Sequence, residues 1–149
     1  MALNNLGAVR LSQKSYTQAV NLVRKAIQIN PKEPMFFKNL ETIYKQMGNP
    51  SLIITDYNFY LKEKEDLDLI RGYGMAVGRN MRQASFRLYN KGYLEKTILK
   101  WVEIEKIYKE IDHQSGLVSV YFSLGILYEE KGESQNAKNY FDLVLKLNP

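Results

Sequence analysis

The side chains able to do chemistry in this 149-residue chain are few and scattered. One histidine, His113, stands in the segment Asp112-His113-Gln114, and cysteine is absent, so no thiolate nucleophile or thiolate metal site exists. A lone histidine in a segment of this composition reads as a solvent-exposed turn residue. The acidic run Glu63-Lys64-Glu65-Asp66 reads as a solvated helix end rather than a paired-carboxylate site. Gly72-Tyr73-Gly74 followed by Gly78 resembles a phosphate loop only superficially, because the Lys-Ser/Thr ending and the preceding strand are missing. No catalytic constellation emerges, and the expectation is a protein that is not an enzyme, holding no metal and no cofactor.

Bulk composition agrees with a soluble globular class. The chain is 45% hydrophobic and 25% charged, with a net charge of +5, and its acidic residues are interleaved with the basic ones. That balance supports weak attraction to acidic partners. A dedicated nucleic-acid module concentrates its charge on one face more plainly, so nucleic-acid binding ranks third among the readings. No apolar run reaches the roughly 18–20 residues of a membrane span. Met1 to Leu11 already belong to a helical pattern, so no signal peptide is read, and the cytoplasm is the default compartment.

The elements that would position any site follow from a recurring pattern. At the C-terminal end it reads Tyr121, Leu124-Gly125, Tyr128, Gly132, Ala137, Phe141 and Pro149. The N-terminal end repeats it as Leu3, Leu6-Gly7, Leu11, Tyr16, Ala19, Val23, Ala26 and Pro31. Apolar residues at these intervals line one stripe of a helix. Gly7, Gly125, Ala19 and Ala137 are small enough to let two helices approach closely, and the prolines end the second helix of each pair. One such pair cannot bury its outer apolar face, so pairs must stack.

The pattern resembles the tetratricopeptide repeat, a helix-turn-helix of about 34 residues. The resemblance implies an all-α fold of about four repeats stacked as a right-handed superhelical solenoid, in a single domain over 1–149. The repeats are expected at about 1–33, 34–67, 78–111 and 118–149, the third being irregular. Helices are expected from near Met1 to Gln13 and from Tyr16 to Ile29. In the second repeat Phe37, Leu40 and Tyr44 face the core, Gly48 closes the first helix, and Pro50 opens the second. Ile53 takes the place of the usual alanine there, which splays that pair. An insertion at 68–77, carrying Gly72 and Gly74, forms either a loop or a lengthened, frayed helix start. In the third repeat Ala84 and Thr97 take the tight positions and Trp101 replaces a buried Phe. Tyr44, Tyr121 and Tyr128 are expected in the core.

The resemblance also implies a function: a non-enzymatic protein–protein interaction module binding a peptide segment of a partner in a concave groove. Its groove-facing positions fall here on Lys38, Asn39, Lys45, Arg79, Arg82, Phe86, Tyr89, Phe122 and Ile126. The cations suit a carboxylate, and the aromatic and aliphatic residues suit apolar side chains of the same peptide. Lys38, Asn39 and Arg79 match part of the set with which some members grip a C-terminal carboxylate, whereas Thr42 and Gln83 depart from it. The alternative is a structural array that self-associates through its repeat ends, or docks within a larger repeat protein.

Overall fold

The computed structural model describes residues 2–148, so Pro149, the expected closing proline, lies outside the described residues, as does Met1. Within them the chain forms helices and no strands: α1 (Ala2–Ser12), α2 (Tyr16–Ile29), α3 (Pro34–Gln46), α4 (Leu52–Glu63), α5 (Leu67–Asn90), α6 (Leu94–Glu110), α7 (Gln114–Glu130) and α8 (Ser134–Leu147). The all-helical repeat fold read from the sequence is therefore the fold observed. Two compact units divide the chain, Met1–Asn80 and Met81–Pro149. No described helix is long and apolar enough to cross a membrane.

One turn recurs between helices. After α3, Gly48 N–H donates to the Lys45 carbonyl and Asn49 N–H to that of Tyr44, each at 3.0 Å. The same pair of bonds closes α5 at Gly92 and Tyr93, α7 at Gly132 and Glu133, and α1 at Lys14 and Ser15. This is the Schellman arrangement, which needs a left-handed residue just past the helix. Gly48, Gly92 and Gly132 supply it with φ of 80°, 81° and 87°, while Lys14 adopts it at 60° and Asp112, in the corresponding turn after α6, at 52°. A Cβ on Gly92 would meet nothing within 4 Å, so backbone conformation alone sets the effect of substitution there. Gly92→Ala is expected to destabilise the protein by about 1 kcal/mol and Lys14→Gly to stabilise it by a similar or smaller amount, read from shifts in urea unfolding midpoints.

Close helix contact also follows from small residues. A Cβ on Gly7 would stand 2.7 Å from Val23 Cγ2, and one on Gly125 would stand 2.5 Å from the Phe141 ring, so α1 lies tight on α2 and α7 on α8. In the third pair the tight residue is Ser85, fully buried, and not Ala84, which is only half-buried. The register slips by one because the small side chain must fall seven residues ahead of the left-handed turn, as Gly7 does to Lys14 and Gly125 to Gly132. In the second pair that place is taken by Glu41. Ile53 is fully buried there, and α3 approaches α4 at fewer points than α1 approaches α2, as a larger side chain at the crossing requires.

Two local expectations are corrected. Pro50 lies in the turn ahead of α4, which starts at Leu52, because Ser51 rather than proline precedes the first helical residue. His113 is half-buried: as the residue before α7 it sets its ring edge-on to Tyr108, with centroids 4.9 Å apart. The segment 68–77 is continuous α5 helix. Asp66 starts it by accepting from the Asp68 and Leu69 amides at 3.0 and 3.2 Å, and Leu69, Ile70, Tyr73, Ala76 and Val77 are buried along it. Gly72 is required within that helix for a packing reason, since its missing Cβ would lie 2.2 Å from the Phe37 ring.

The core of the first unit gathers Val23, Ile27, Phe37, Leu40, Ile43, Tyr44, Ile53, Tyr57, Tyr73 and Val77, all nearly inaccessible to solvent. That of the second unit gathers Ile98, Trp101, Ile104, Val120, Tyr121 and Leu124. Tyr128, expected in the core with Tyr44 and Tyr121, is instead only half-buried, because its ring lies at the edge, stacked on Tyr140 with centroids 5.6 Å apart.

Candidate functional site

In the first unit the expected contact residues sit on α3 and on the first part of α5. Lys38 and Lys45 are exposed on α3. Asn39 donates its side-chain amide to the Asn4 side-chain oxygen at 2.9 Å, and Asn4 is buried, so this bond holds α3 to α1. Arg79 faces Glu41: its Nε donates to both carboxylate oxygens at 3.2 Å and its Nη2 to Oε2 at 3.1 Å. The Arg79 charge is thus already engaged by a carboxylate of the same unit. Burial pushes the Glu41 carboxyl above its usual range, against the pull of Arg79 and of nearby Lys38. A half-buried acid at this place follows from the crossing: the helix stripe that holds glycine or serine elsewhere here carries a long side chain that must reach a cation.

Behind this surface a polar cluster ties three helices. Arg24 of α2 donates from Nη2 to the Tyr44 hydroxyl at 2.7 Å and to Asp56 Oδ1 at 2.8 Å. Tyr44 of α3 donates its hydroxyl proton to Asp56 Oδ2 on α4 in a short bond. Burial first, and then the Asp56 carboxylate, raise the Tyr44 hydroxyl well above the ordinary tyrosine value. The Tyr73 hydroxyl is raised by the same two causes in the same order. Its ring stacks on Tyr60 and meets Phe37 edge-on, both at 5.1 Å between centroids.

The second unit brings together a different surface. Arg82, Phe86 and Tyr89 follow one another on α5 at helical spacing, and Ser123 and Ile126 face them from α7. Between them lies a cleft of about 240 Å³ whose walls include Phe86, Tyr89, Trp101, Ser123, Ile126 and Leu127. Trp101, from α6, is 4% exposed and lies at the base. Phe86 meets it edge-on at 6.2 Å, and the Arg82 guanidinium carbon stands 5.9 Å from its ring centroid. At the other end the Tyr89 hydroxyl donates to the Glu130 carboxylate at 3.0–3.1 Å. Phe86 and Phe122 keep about half of their surface in solvent, 53% and 52%. Phe122 does not line the cleft; its ring leans on Phe141 at 5.9 Å.

The sequence thus marks Phe86, Tyr89 and Ile126, which line one cleft, Arg82, which stands beside it against Trp101, and Lys38, Asn39, Lys45 and Arg79, which lie in the other unit. It misses Glu41 and Glu130, while Ser123, at a groove-facing position of the fourth repeat, lines the cleft. It treats Trp101 as core alone, whereas that ring is both buried and a wall of the cleft. Counting seven residues back from Gly48 would have found Glu41. Nothing in the sequence signals the Tyr89–Glu130 bond, which joins residues 41 apart. Among the described residues no three His, Cys, Asp or Glu side chains gather as a metal site would need.

Antiparallel helix pairs closed by one recurrent turn define a helical-repeat protein. Segments 2–33 and 118–149 match the family model of the tetratricopeptide repeat, a family whose members generally mediate protein–protein interaction, and these two segments are similar to it. Among curated proteins nothing matches. Among solved structures, the crystal structure of a thermophilic TPR protein from Thermus thermophilus is similar at 19% identity, covering 99% of this chain and 91% of that one, with a TM-score of 0.34.

Proposed function

We propose that the protein is a non-enzymatic interaction module that holds a segment of a partner protein against the first helices of its pairs. The observation that supports this best is the α5–α6–α7 cleft, where Phe86, Tyr89 and Ile126 leave large apolar surface in solvent around a buried tryptophan. Surface aromatics beside a formed cleft are the usual anchors of peptide recognition. Lys38, Lys45, Arg79 and Arg82 favour acidic segments, Asn39 adds an amide, and Phe122 extends the apolar surface along α7. For a carboxylate to bind Arg79 it must compete with Glu41, so Lys38, Lys45 and Arg82 carry more of the attraction than Arg79 does.

The test is a peptide array probed with wild type and with Arg82→Ala/Phe86→Ala/Ile126→Ala, after circular dichroism shows both folded. Peptides held by wild type should lose about tenfold or more in affinity with the variant, since anchors of this kind are each worth over about 1 kcal/mol. Peptides held equally by both would remove the cleft from the reading.

A second reading is favoured by α8. Only Ala137 of that helix is buried, while Leu145 and Leu147 remain exposed, at 64% and 37%. Exposed leucines at the end of this helix support self-association or docking to further repeats, and a mass that rises with concentration in sedimentation equilibrium would favour it.

A further inference from the structure

The cleft of the second unit is lined by aromatic, aliphatic and hydroxyl side chains, and one cation and one anion flank it. Arg82 is not part of the lining but stands beside it, one turn before Phe86, with its guanidinium against the Trp101 ring and in no ion pair among the described residues. Glu130 likewise lies outside the lining, beyond Tyr89, where its carboxylate accepts from the Tyr89 hydroxyl and pairs with no cation among the described residues. The neighbouring Lys131 is already taken up by Glu95 at 2.7 Å and Glu133 at 3.1 Å, so it does not neutralise Glu130. Both flanking charges therefore face solvent with their Coulomb demand unmet by the protein itself.

The size of the cleft selects the occupant. At about 240 Å³ it falls below the roughly 300–1,000 Å³ of small-molecule sites, and is of a scale to take one large side chain. Arg82 and Tyr89 are seven residues apart on α5, which is about 10 Å at the helical rise of 1.5 Å per residue. An extended chain covers that length in about three residues. Resting on the reading of the protein as a peptide-binding module, we propose that the cleft recognises an extended peptide whose apolar anchor is flanked by an acidic residue and a basic residue about three positions apart. The acid meets Arg82, the base meets Glu130, and the anchor rests on Trp101 between Phe86 and Ile126. An opposite-charge pair on the ligand discriminates against uniformly acidic and uniformly basic segments alike, because each of those sets one like charge against its counterpart.

Trp101 is the single tryptophan of the chain, so its fluorescence reports on this cleft alone. The probes are three capped octapeptides with two apolar residues in the middle, one of them para-bromophenylalanine, whose heavy atom quenches tryptophan at contact range. They differ only in the flanking pair: Glu and Lys, Glu and Glu, or Lys and Lys. Wild type should bind the mixed peptide about fivefold or more tightly than either like-charged one, with Trp101 quenched on saturation. Arg82→Glu should move the preference to the Lys and Lys peptide, and Glu130→Lys to the Glu and Glu peptide. Arg82→Gln, which keeps a polar side chain over the ring, should bind the mixed and the Lys and Lys peptides alike.

Equal binding of all three by wild type, no change of preference in the charge variants, or binding by anisotropy without Trp101 quenching would each overturn the inference. If these peptides fail while other array peptides bind and are lost with Phe86→Ala, the charge rule falls and the interaction reading stands. Absence of any bound peptide in either experiment removes both.

Discussion

Raising the pH past about 10 is expected to destabilise the Met1–Asn80 unit, with loss of helical signal. Tyr44 and Tyr73 carry hydroxyls whose folded values are raised above the ordinary 10.0 by burial first and by the Asp56 carboxylate next. The sign follows from which state releases the proton. Below about pH 10 both states keep it and the contribution to stability is whole. Above, the unfolded chain ionises these tyrosines while the folded chain cannot, so stability falls as the pH climbs towards the folded values. Each pH unit traversed costs about 1.4 kcal/mol per such group. Tyr73→Phe removes one group without breaking a cluster bond and should move the alkaline midpoint upward, read by circular dichroism between about pH 8 and 12. An unchanged midpoint in Tyr73→Phe would show that another group drives the transition.

Asp56→Ala is expected to destabilise the same unit by about 3 kcal/mol. The carboxylate is the common acceptor of Arg24 and Tyr44, and its removal leaves a partly desolvated guanidinium and a buried hydroxyl facing no acceptor. Loss of one partner from a fully buried pair costs about 3–5 kcal/mol. The Arg24 side chain is 40% exposed and can turn to water, which places the effect at the lower end. Replacing all three members of the cluster, as Arg24→Met/Tyr44→Phe/Asp56→Leu, should recover much of the loss, because neither a charge nor a buried hydroxyl is then left stranded. Urea unfolding of wild type and the two variants measures this. A loss below about 1 kcal/mol in Asp56→Ala would mean that the cluster orients the helices without stabilising them.

Much of the helix plan was legible because the signals that carry it are local. Gly48, Gly92 and Gly132 announce left-handed turns, and Gly7, Ala19, Gly125 and Ala137 announce close crossings, each within a few residues of what they determine. Ser85 was obscured by its neighbour Ala84, since both are small and only the count to Gly92 separates them. Pro50 suggested a helix start by residue preference, yet Ser51 stands between it and α4. His113 reads as a solvated turn until Tyr108 is brought against it by the turn at Asp112.

The candidate site was legible in its helical stripe and not in its pairings. Phe86, Tyr89 and Ile126 fall at spacings that place them on exposed faces. Which polar groups they would meet depends on helices about 40 residues away in the chain, as with Glu41 and Arg79 or Tyr89 and Glu130. A single sequence carries no signal for such distant partners beyond the availability of opposite charges. The expected use of Arg79 shows the consequence: its residue type suits an incoming carboxylate, while its neighbour Glu41 already provides one.

The recurrent Schellman turn has a kinetic consequence. Each copy joins two helices adjacent in the chain, so the contacts it closes are separated by few residues and the entropy of loop closure is met in small steps. Contact order stays low within each pair, which places folding in the fast regime of helical proteins rather than among slow sheet topologies. The left-handed residue at each turn is thus more than a cap: it sets α1 against α2 and α7 against α8 through contacts close in sequence, whose formation does not wait on distant helices.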